Sequence, residues 1–218
     1  METKHLFSMA LLMAGFGSFA QWTWQNPLPQ GNSLSSVCFT NANTGFATGD
    51  GGMLLKTTDG GASWIAASSG TTYDLSSVCF TDSLKGFAIG SEGVTPDVSG
   101  IILRTLNGGK DWLEVYTVSS TLRSVYFPDA NTGYLLGRNQ SGCYIVKTTD
   151  GGASWNYITG NLSYGLTSLC FTDVNTGYAA GDWGTILKTI DGGTTWTALF
   201  SGTSDWLSSV FFTGINTG

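Results

Sequence analysis

The 218-residue chain has few of the residues on which most catalytic and nucleic-acid-binding sites depend. Charged residues make up only 11% of it, the formal net charge is −6, and there are three arginines and one histidine. Nucleic acids and anionic membranes bind basic faces, so this charge argues against either as the main partner. The histidine, His5, lies in the N-terminal leader described below, so a processed chain would lack one for a Ser–His–Asp triad or a zinc site.

Several motifs are also missing. The chain contains no Cys-x-x-Cys pair, no Asp-x-Asp-x-Asp-Gly calcium loop and no phosphate-binding loop, so we expect no metal site and no cofactor. After residue 20, no long stretch spaces its apolar residues as a helix would. Glycine, with 31 copies, and aromatic residues, at 13%, are abundant instead. This composition is typical of short strands joined by tight turns and predicts an all-β fold.

Residues 1–20 have the pattern of a secretory signal peptide. Lys4 and His5 form a short basic start, an apolar stretch follows, and Ser18-Phe19-Ala20 offers a small-x-small cleavage site. The alternative, a membrane anchor, is disfavoured because the apolar run is short for a bilayer. We therefore predict export to the cell surface or medium, a mature chain over residues 21–218, and no transmembrane segment within it.

The rest of the chain is a repeat. A string that begins "LSSV" recurs, and its leading leucines lie 41, 47, 44 and 41 residues apart. A second string, "KTTDGGASW", occurs twice unchanged and twice in related forms. A period of about 40–50 residues indicates one supersecondary unit per repeat. The leading leucines are Leu34, Leu75, Leu122, Leu166 and Leu207.

Each unit reads as four strands joined by short turns. In the first unit these are "SSVCF", "GFATG", "MLLKT" and a fourth that begins at Trp64. Before Trp64, Asp59 can accept backbone N–H bonds, while Gly60 and Gly61 can adopt the positive φ of a tight hairpin. Four-stranded units of this length around an axis are the blades of a β-propeller. We predict an arc of antiparallel four-stranded blades in which each hairpin Trp is buried.

The hairpin string resembles the Asp-box, or BNR repeat, of pattern Thr-x-Asp-x-Gly-x-Ser/Thr-Trp. The copy from Thr105 departs from it, with Asn107 for Asp and Asp111 for Ser/Thr, and is expected to be looser. Asp-boxes occur in sialidases, other glycoside hydrolases, sortilin-like receptors and the photosystem II assembly-factor family, and the last looks most similar. The candidate structural residues are Asp59, Gly61, Trp64, Asn107, Trp112, Asp150, Gly152, Trp155, Asp191, Gly193 and Trp196.

This resemblance implies a propeller of about six or seven blades, with the Asp-boxes structural and away from the usual active site. About four to five blades would fall within residues 21–218. We expect Trp24 to lie in an outer strand that closes the last, missing blade. Because the chain stops inside a turn motif at Gly218, we read it as the N-terminal part of a longer protein. The family's role in photosystem assembly does not follow from the fold alone.

Three of the four cysteines occupy one position of the repeat. Cys38, Cys79 and Cys170 end the strings "SSVC" and "TSLC", where other copies place an aromatic residue. A position that accepts Cys, Tyr or Phe is a packing position, and equivalent positions in different blades lie too far apart for a disulfide. We predict that these are free thiols. Cys143 lies elsewhere in its repeat.

The loops between second and third strands vary in length, unlike the Asp-box turns. Variable loops on a fixed scaffold often carry binding sites, although harmless drift explains such variation equally well. Asp50 and Asp182, in "GD-x-G" strings, fit a plain turn role. In a propeller blade, the turns between first and second strands share one face with the Asp-box turns, and the loops between second and third strands share the other face with the links between blades. The other polar and aromatic residues expected on this second face are Tyr73, Asp74, Glu92, Asp97, Arg123, Arg138, Tyr164, Trp183, Asp205 and Trp206.

These residues favour a non-catalytic propeller that binds a protein or a glycan. The alternative is a glycoside hydrolase whose catalytic groups lie partly outside this chain. A sialidase would need several arginines around the substrate carboxylate, and only Arg123 is suitably placed. Two convergent carboxylates, as other glycosidases require, do not stand out from the turn aspartates.

Overall fold

The computed structural model describes residues 31–93, 97–162, 165–214 and 217–218. Their strands form four four-stranded antiparallel sheets, each built from consecutive strands. The all-β, partial-propeller prediction is therefore confirmed, and each sheet is one blade. The strands of blade 1 are β1 (Leu34–Phe39), β2 (Gly45–Gly49), β3 (Met53–Thr57) and β4 (Ile65–Ala67).

The remaining blades repeat this plan along the chain. Short 3₁₀ turns, Asp50–Gly52 and Asp182–Gly184, join the second and third strands of blades 1 and 4. Blade 2 consists of β5 (Asp74–Phe80), β6 (Gly86–Glu92), β7 (Ser99–Thr105) and β8 (Leu113–Val118). Blade 3 consists of β9 (Thr121–Tyr126), β10 (Gly133–Asn139), β11 (Gly142–Thr148) and β12 (Asn156–Leu162). Blade 4 consists of β13 (Leu166–Phe171), β14 (Gly177–Gly181), β15 (Ile186–Thr189) and β16 (Thr197–Leu199).

Stacked aromatic rings join neighbouring blades. The ring near the start of each second strand stacks on a ring at the equivalent position of the next repeat unit, at or just after that unit's first strand in blades 2 to 4. The glycine that begins each second strand is needed for close packing within its own blade: a Cβ on Gly86 would lie 2.7 Å from the Phe80 ring, and one on Gly133 would lie 2.4 Å from Phe127. The stacked pairs are Phe46–Phe80, Phe87–Phe127, Tyr134–Phe171 and Tyr178–Phe212, with centroids 4.3, 4.4, 3.7 and 3.9 Å apart.

A row of serines joins the first strands of successive blades. The Val78 N–H donates to Ser36 Oγ at 3.2 Å, and the Val125 N–H donates to Ser77 Oγ at 3.3 Å. The same bond links Val210 to the last member of the row at 3.2 Å, so the segment after blade 4 docks as the start of another unit. The row comprises Ser36, Ser77, Ser124 and Ser168.

The outward side of β1 is exposed in the described part of the chain. Leu34 and Val37 are 49% and 61% exposed, whereas their counterparts Leu75 and Val78 in blade 2 are 1% and 5% exposed. The corresponding surface of β5 in blade 2 packs against blade 1. The predicted outer strand at Trp24 and the predicted signal peptide both lie outside the described residues. Among those residues, no helix is long and apolar enough to cross a membrane.

The prediction that every Asp-box tryptophan is buried holds in full only for Trp112, which is 7% exposed. Trp64, Trp155 and Trp196 are half-buried. Each indole stacks edge-to-face on the phenylalanine that ends, or directly follows, the first strand of its own blade, with centroids about 6 Å apart, as in the 6.0 Å Phe39–Trp64 pair. The tryptophans start the outer strands at the blade rim, so part of three rings stays in solvent.

The cysteines are free thiols in the structure. Cys38, Cys79 and Cys170 lie on the first strands of three different blades, as predicted, and Cys143 lies on β11. Burial raises the pKa of Cys79 to about 12 and also raises the pKa of Cys38 and Cys170. A thiolate is therefore disfavoured at all three positions, which fits a packing role.

Candidate functional site

The blades present two faces of opposite character. The Asp-box face carries the turns between first and second strands and the Asp-box turns, which hydrogen-bond to each other: the Gly60 N–H donates to Asn43 O at 2.8 Å. The link face carries the turns between second and third strands and the links between blades. There, the Asp50 N–H donates to Ser33 O at 3.0 Å, and the Asp182 N–H donates to Gly165 O at 2.9 Å. This is the predicted separation of turns.

The Asp-box carboxylates are fully used inside their own turns. Asp59 Oδ1 accepts from the Thr57 hydroxyl at 2.7 Å and the Ser63 N–H at 2.9 Å. The Ser63 hydroxyl, then the Ser63 N–H and Thr57, lower the pKa of Asp59 to about 2. Equivalent bonds from Thr195 and Thr189 lower the pKa of Asp191 to about 2. Asp150 makes the same bonds and its pKa is also lowered. These groups hold hairpins together and are not free for a ligand.

The divergent Asp-box of blade 2 keeps this geometry with donor and acceptor exchanged. Asn107 Nδ2 donates to Asp111 Oδ2 at 2.8 Å, where the other copies have a hydroxyl donating to a carboxylate. Asn107 Oδ1 still accepts from the Thr105 hydroxyl and from the Asp111 N–H, both at 3.0 Å. The copy that was expected to be looser thus keeps the same set of bonds, because the two substitutions compensate each other; its Thr105–Asn107 bond, at 3.0 Å, is longer than the 2.7 Å of Thr57–Asp59.

Charge divides unevenly between the faces. Three lysines of the Asp-box face bridge neighbouring blades, with Nζ donating to a backbone carbonyl: Lys56 to Gly108 at 2.8 Å, Lys85 to Ala130 at 3.1 Å and Lys147 to Gly192 at 3.3 Å. In the part of the chain that the structure describes, the cations on the link face are Arg123 and Arg138. The link face is therefore acidic; its carboxylates are Asp50, Asp74, Glu92, Asp97, Asp182 and Asp205.

Between blades 1 and 2, the structure brings two predicted residues to the link face. Asp74 Oδ1 accepts from the Gly51 N–H at 2.8 Å, and the Tyr73 hydroxyl donates to Ser99 Oγ at 3.3 Å. Ser99 pairs with Glu92 across the β6–β7 ladder, and Asp97 precedes β7 in the same loop. Aligning the repeats would have located Gly51, which the sequence reasoning missed. Ser99 has no such sequence marker.

In blade 4, two exposed tryptophans replace that Gly–Asp contact. Trp183 is the repeat counterpart of Gly51, and Trp206 is the counterpart of Asp74. The turn and the link that carry them are joined by the Gly184 N–H donating to Asp205 O at 2.6 Å. A second bond runs from the Leu207 N–H to Gly181 O at 3.1 Å. The two tryptophans, 77% and 74% exposed, therefore lie on neighbouring bonded segments of the link face.

Trp183 has a left-handed backbone conformation. Its φ is +58°, and among the described residues other than glycine it alone has a positive φ. Gly51 takes the same conformation in blade 1, with φ of +65°. A bulky residue in this region is strained, and such strain is concentrated at functional sites.

Arg123 and Arg138 lie apart from this pair, in blade 3. Arg138 lines a groove of about 220 Å³ together with Gln140, Leu162 and Gly165. Arg123 occupies the position of Thr167, whose hydroxyl donates to Leu207 O at 2.6 Å. Its Nε atom is buried and makes no hydrogen bond among the described residues.

The structure thus divides the predicted binding residues into three groups. The first group lies between blades 1 and 2 and contains Tyr73, Asp74, Glu92 and Asp97. The second group consists of Arg123 and Arg138 in blade 3. The third group consists of Trp183, Trp206 and Asp205 in and after blade 4. Tyr164 lies outside the described residues. Within the described ranges, no cluster of three His, Cys, Asp or Glu side chains could hold a metal ion.

Comparison with known proteins identifies the family to which the chain belongs. The profile for "Photosynthesis system II assembly factor YCF48" matches residues 17–120 and 115–204. The chain belongs to the YCF48 family. The photosystem II assembly lipoprotein Ycf48 of Synechococcus sp. (strain CC9902) is 29% identical over 128 residues, 58% of this chain. The match spans about a third, 36%, of that relative's length.

Solved YCF48 structures share the fold. YCF48 from Cyanidioschyzon merolae aligns with a TM-score of 0.63 and 24% identity, over 85% of this chain and 62% of that one. A structure of YCF48 bound to D1 peptide aligns with a TM-score of 0.51 and 17% identity, over 78% and 82% of the two chains.

A glycoside hydrolase also shares the fold. The GH74 enzyme of Niastella koreensis aligns with a TM-score of 0.58 and 19% identity, over 75% of this chain and 28% of the enzyme. At this identity the similarity concerns the propeller alone.

Proposed function

We propose that the chain is part of an exported, non-catalytic β-propeller that binds a protein segment or a glycan through its link face. The observation that carries the proposal is the exposed Trp183–Trp206 pair, built at a position where blade 1 has a glycine and an aspartate. Paired indoles beside carboxylates offer flat apolar surfaces with hydrogen-bond acceptors, which suit peptide side chains and sugar rings alike.

The Asp-box face is less suited to this role. Its carboxylates are held in hairpin bonds, and three of its lysines bridge blades. The polar groups that the Asp-box face offers are therefore largely engaged in bonds within the propeller. The YCF48 structure with a bound D1 peptide supports a peptide as one class of ligand for the family fold.

Export is the second part of the proposal. It is supported by the basic start, apolar stretch and small-x-small site of residues 1–20. Expression of the gene with its leader intact, followed by N-terminal sequencing of the secreted or surface fraction, tests it. A processed N-terminus at Gln21 is expected, and an unprocessed cytosolic protein would contradict export.

Peptide and glycan arrays test the binding part. The full-length protein should retain a defined set of ligands, and Trp183→Ala with Trp206→Ala should remove them. Ile190→Ala is a matched control, because Ile190 is 72% exposed but lies in an Asp-box turn. Identical array profiles for the wild type and the double variant would refute the proposal.

The alternative is glycoside hydrolysis, which is supported by the fold-level similarity to the GH74 enzyme. A sialidase version would rely on Arg123, whose Nε is buried without a hydrogen bond. We expect no turnover of a fluorogenic sialoside by the full-length protein. Turnover that is abolished by Arg123→Ala would favour the alternative over binding.

A further inference from the structure

The Trp183–Trp206 pair is a built feature of the link face and does not result from an uncovered edge. Its counterpart Asp74 is exposed although blade 2 is flanked by blades 1 and 3, and its counterpart Gly51 is exposed as well. These repeat positions therefore face solvent even where neighbouring blades are present. Two tryptophans placed there remain available to a ligand.

The backbone conformation at Trp183 is unfavourable for a tryptophan. Positive φ suits glycine, which blade 1 uses, and costs a residue with a large side chain. Blade 4 thus carries a tryptophan where the fold alone would favour glycine. The side chain must contribute something other than stability of the turn.

Each tryptophan follows an aspartate in the chain, and no described cation lies in the turn or the link that carries them. Asp182 precedes Trp183, and Asp205 precedes Trp206. Asp205 Oδ2 accepts from the Thr203 hydroxyl at 2.8 Å, which leaves lone pairs of this carboxylate for another donor. The local field therefore favours a positive group and disfavours an anionic one.

We propose that the Trp183–Trp206 pair, with Asp182 and Asp205, binds a lysine or arginine side chain of a basic peptide segment, an inference that rests on the proposed function of the link face. The negative faces of the indoles attract a cation, and the carboxylates accept its N–H bonds. The chain uses the first interaction internally, since Lys147 Nζ lies 5.1 Å from the centroid of the Tyr134 ring. Neutral glycans would use the rings but not the charge.

Fluorescence anisotropy with the full-length protein tests this inference. The probes are a labelled peptide that alternates glycine with lysine and arginine, the same peptide with glutamate in both positions, and labelled chitohexaose and cellohexaose. The basic peptide should bind about tenfold or more tightly than the acidic one. Trp183→Ala with Trp206→Ala should weaken its binding about tenfold, whereas Ile190→Ala should not change it.

A charge variant separates the contribution of the carboxylates to binding from that of the indole rings. Asp182→Asn with Asp205→Asn keeps hydrogen-bond acceptors but removes two charges, so binding should weaken severalfold and lose much of its salt dependence. Unchanged thermal unfolding would show that each variant is folded.

Each contrary outcome has a distinct meaning. Equal binding of basic and acidic peptides, or basic-peptide binding that ignores the Trp substitutions, would overturn the cation inference. Glycan binding that depends on the tryptophans, without peptide binding, would overturn it and leave the proposed function standing. If no array ligand and no probe binds through the link face, both fail.

Discussion

The exchanged Asp-box of blade 2 allows a sharp test of how these hairpins are held. Asn107→Asp restores the usual Asp at that position but places its carboxylate against that of Asp111. The two oxygens would lie where Asn107 Nδ2 and Asp111 Oδ2 are now, 2.8 Å apart. Two unit charges at that distance repel by about 1.5 kcal/mol in water, and the lost hydrogen bond adds about 1 kcal/mol. Asp111 is exposed and can rotate away, so we expect a net loss of about 1–2 kcal/mol.

The assay is urea unfolding of the full-length protein, followed by tryptophan fluorescence. Adding Asp111→Ser to Asn107→Asp recreates the consensus Asp-box and should recover the loss to within about 0.5 kcal/mol. Asp111→Ser alone should be nearly neutral, because the Asn107 amide can donate to a serine hydroxyl.

If Asn107→Asp is neutral, or if the double variant is as unstable as the single variant, the two residues do not act as a compensating pair. At a pH low enough to protonate one of the two carboxylates, the penalty of Asn107→Asp should shrink. A penalty that does not change with pH would point to packing instead of charge.

Three further predictions concern backbone strain, acid stability and the thiols. Trp183→Gly should raise stability by about 1 kcal/mol, by relieving the left-handed backbone, while Gly51→Ala should lower it; a thermal shift of opposite sign in either would contradict the strain. The Asp59 and Asp191 pKa values of about 2 lie below the unfolded value, so their contribution to stability is present above about pH 4 and is lost as pH falls towards 2. Asp191→Asn should therefore flatten the acid limb of the stability curve, and an unchanged limb would argue against this linkage. Ellman's reagent should react slowly with native Cys38, Cys79 and Cys170 and readily after denaturation without reductant; failure to detect these thiols would indicate disulfides.

Much of the fold could be predicted because the same pattern of strands and turns recurs in every repeat unit. Each blade needs a glycine where the Phe80 or Phe127 ring packs against the second strand, and a tight turn with positive φ before the tryptophan. These requirements restrict residue type at single positions, so they are visible in one sequence. The separation of turns between the two faces follows from the strand order alone.

Other features could not be predicted because they depend on neighbours in space. The burial of Trp64 depends on how much of its ring is covered by neighbouring residues at the edge of the blade. The residues of its own Asp-box do not determine that coverage. The compensation between Asn107 and Asp111 needs the distance between two side chains. The serine row is visible as a repeated "SS", but its bonds to the next blade become apparent only once the blades are packed.

The candidate site was predicted in part. Trp183 and Trp206 were expected on one face from strand order, and the structure adds that the turn and the link carrying them are bonded together. The repeat alignment shows that Trp183 and Trp206 correspond to Gly51 and Asp74. It does not show that Gly51 and Asp74 are hydrogen-bonded to each other. Arg123 was expected to be the one arginine suitably placed for a substrate carboxylate, yet its Nε is buried and makes no hydrogen bond among the described residues.

We propose above that ligands bind at the link face around Trp183 and Trp206. Hydrogen–deuterium exchange of the full-length protein tests it most directly, with and without the strongest ligand from the arrays. We expect slowed exchange in residues 181–185 and 203–207 and no change in the Asp-box turns such as residues 58–63. Protection confined to the Asp-box turns, with the link face unchanged, would contradict it.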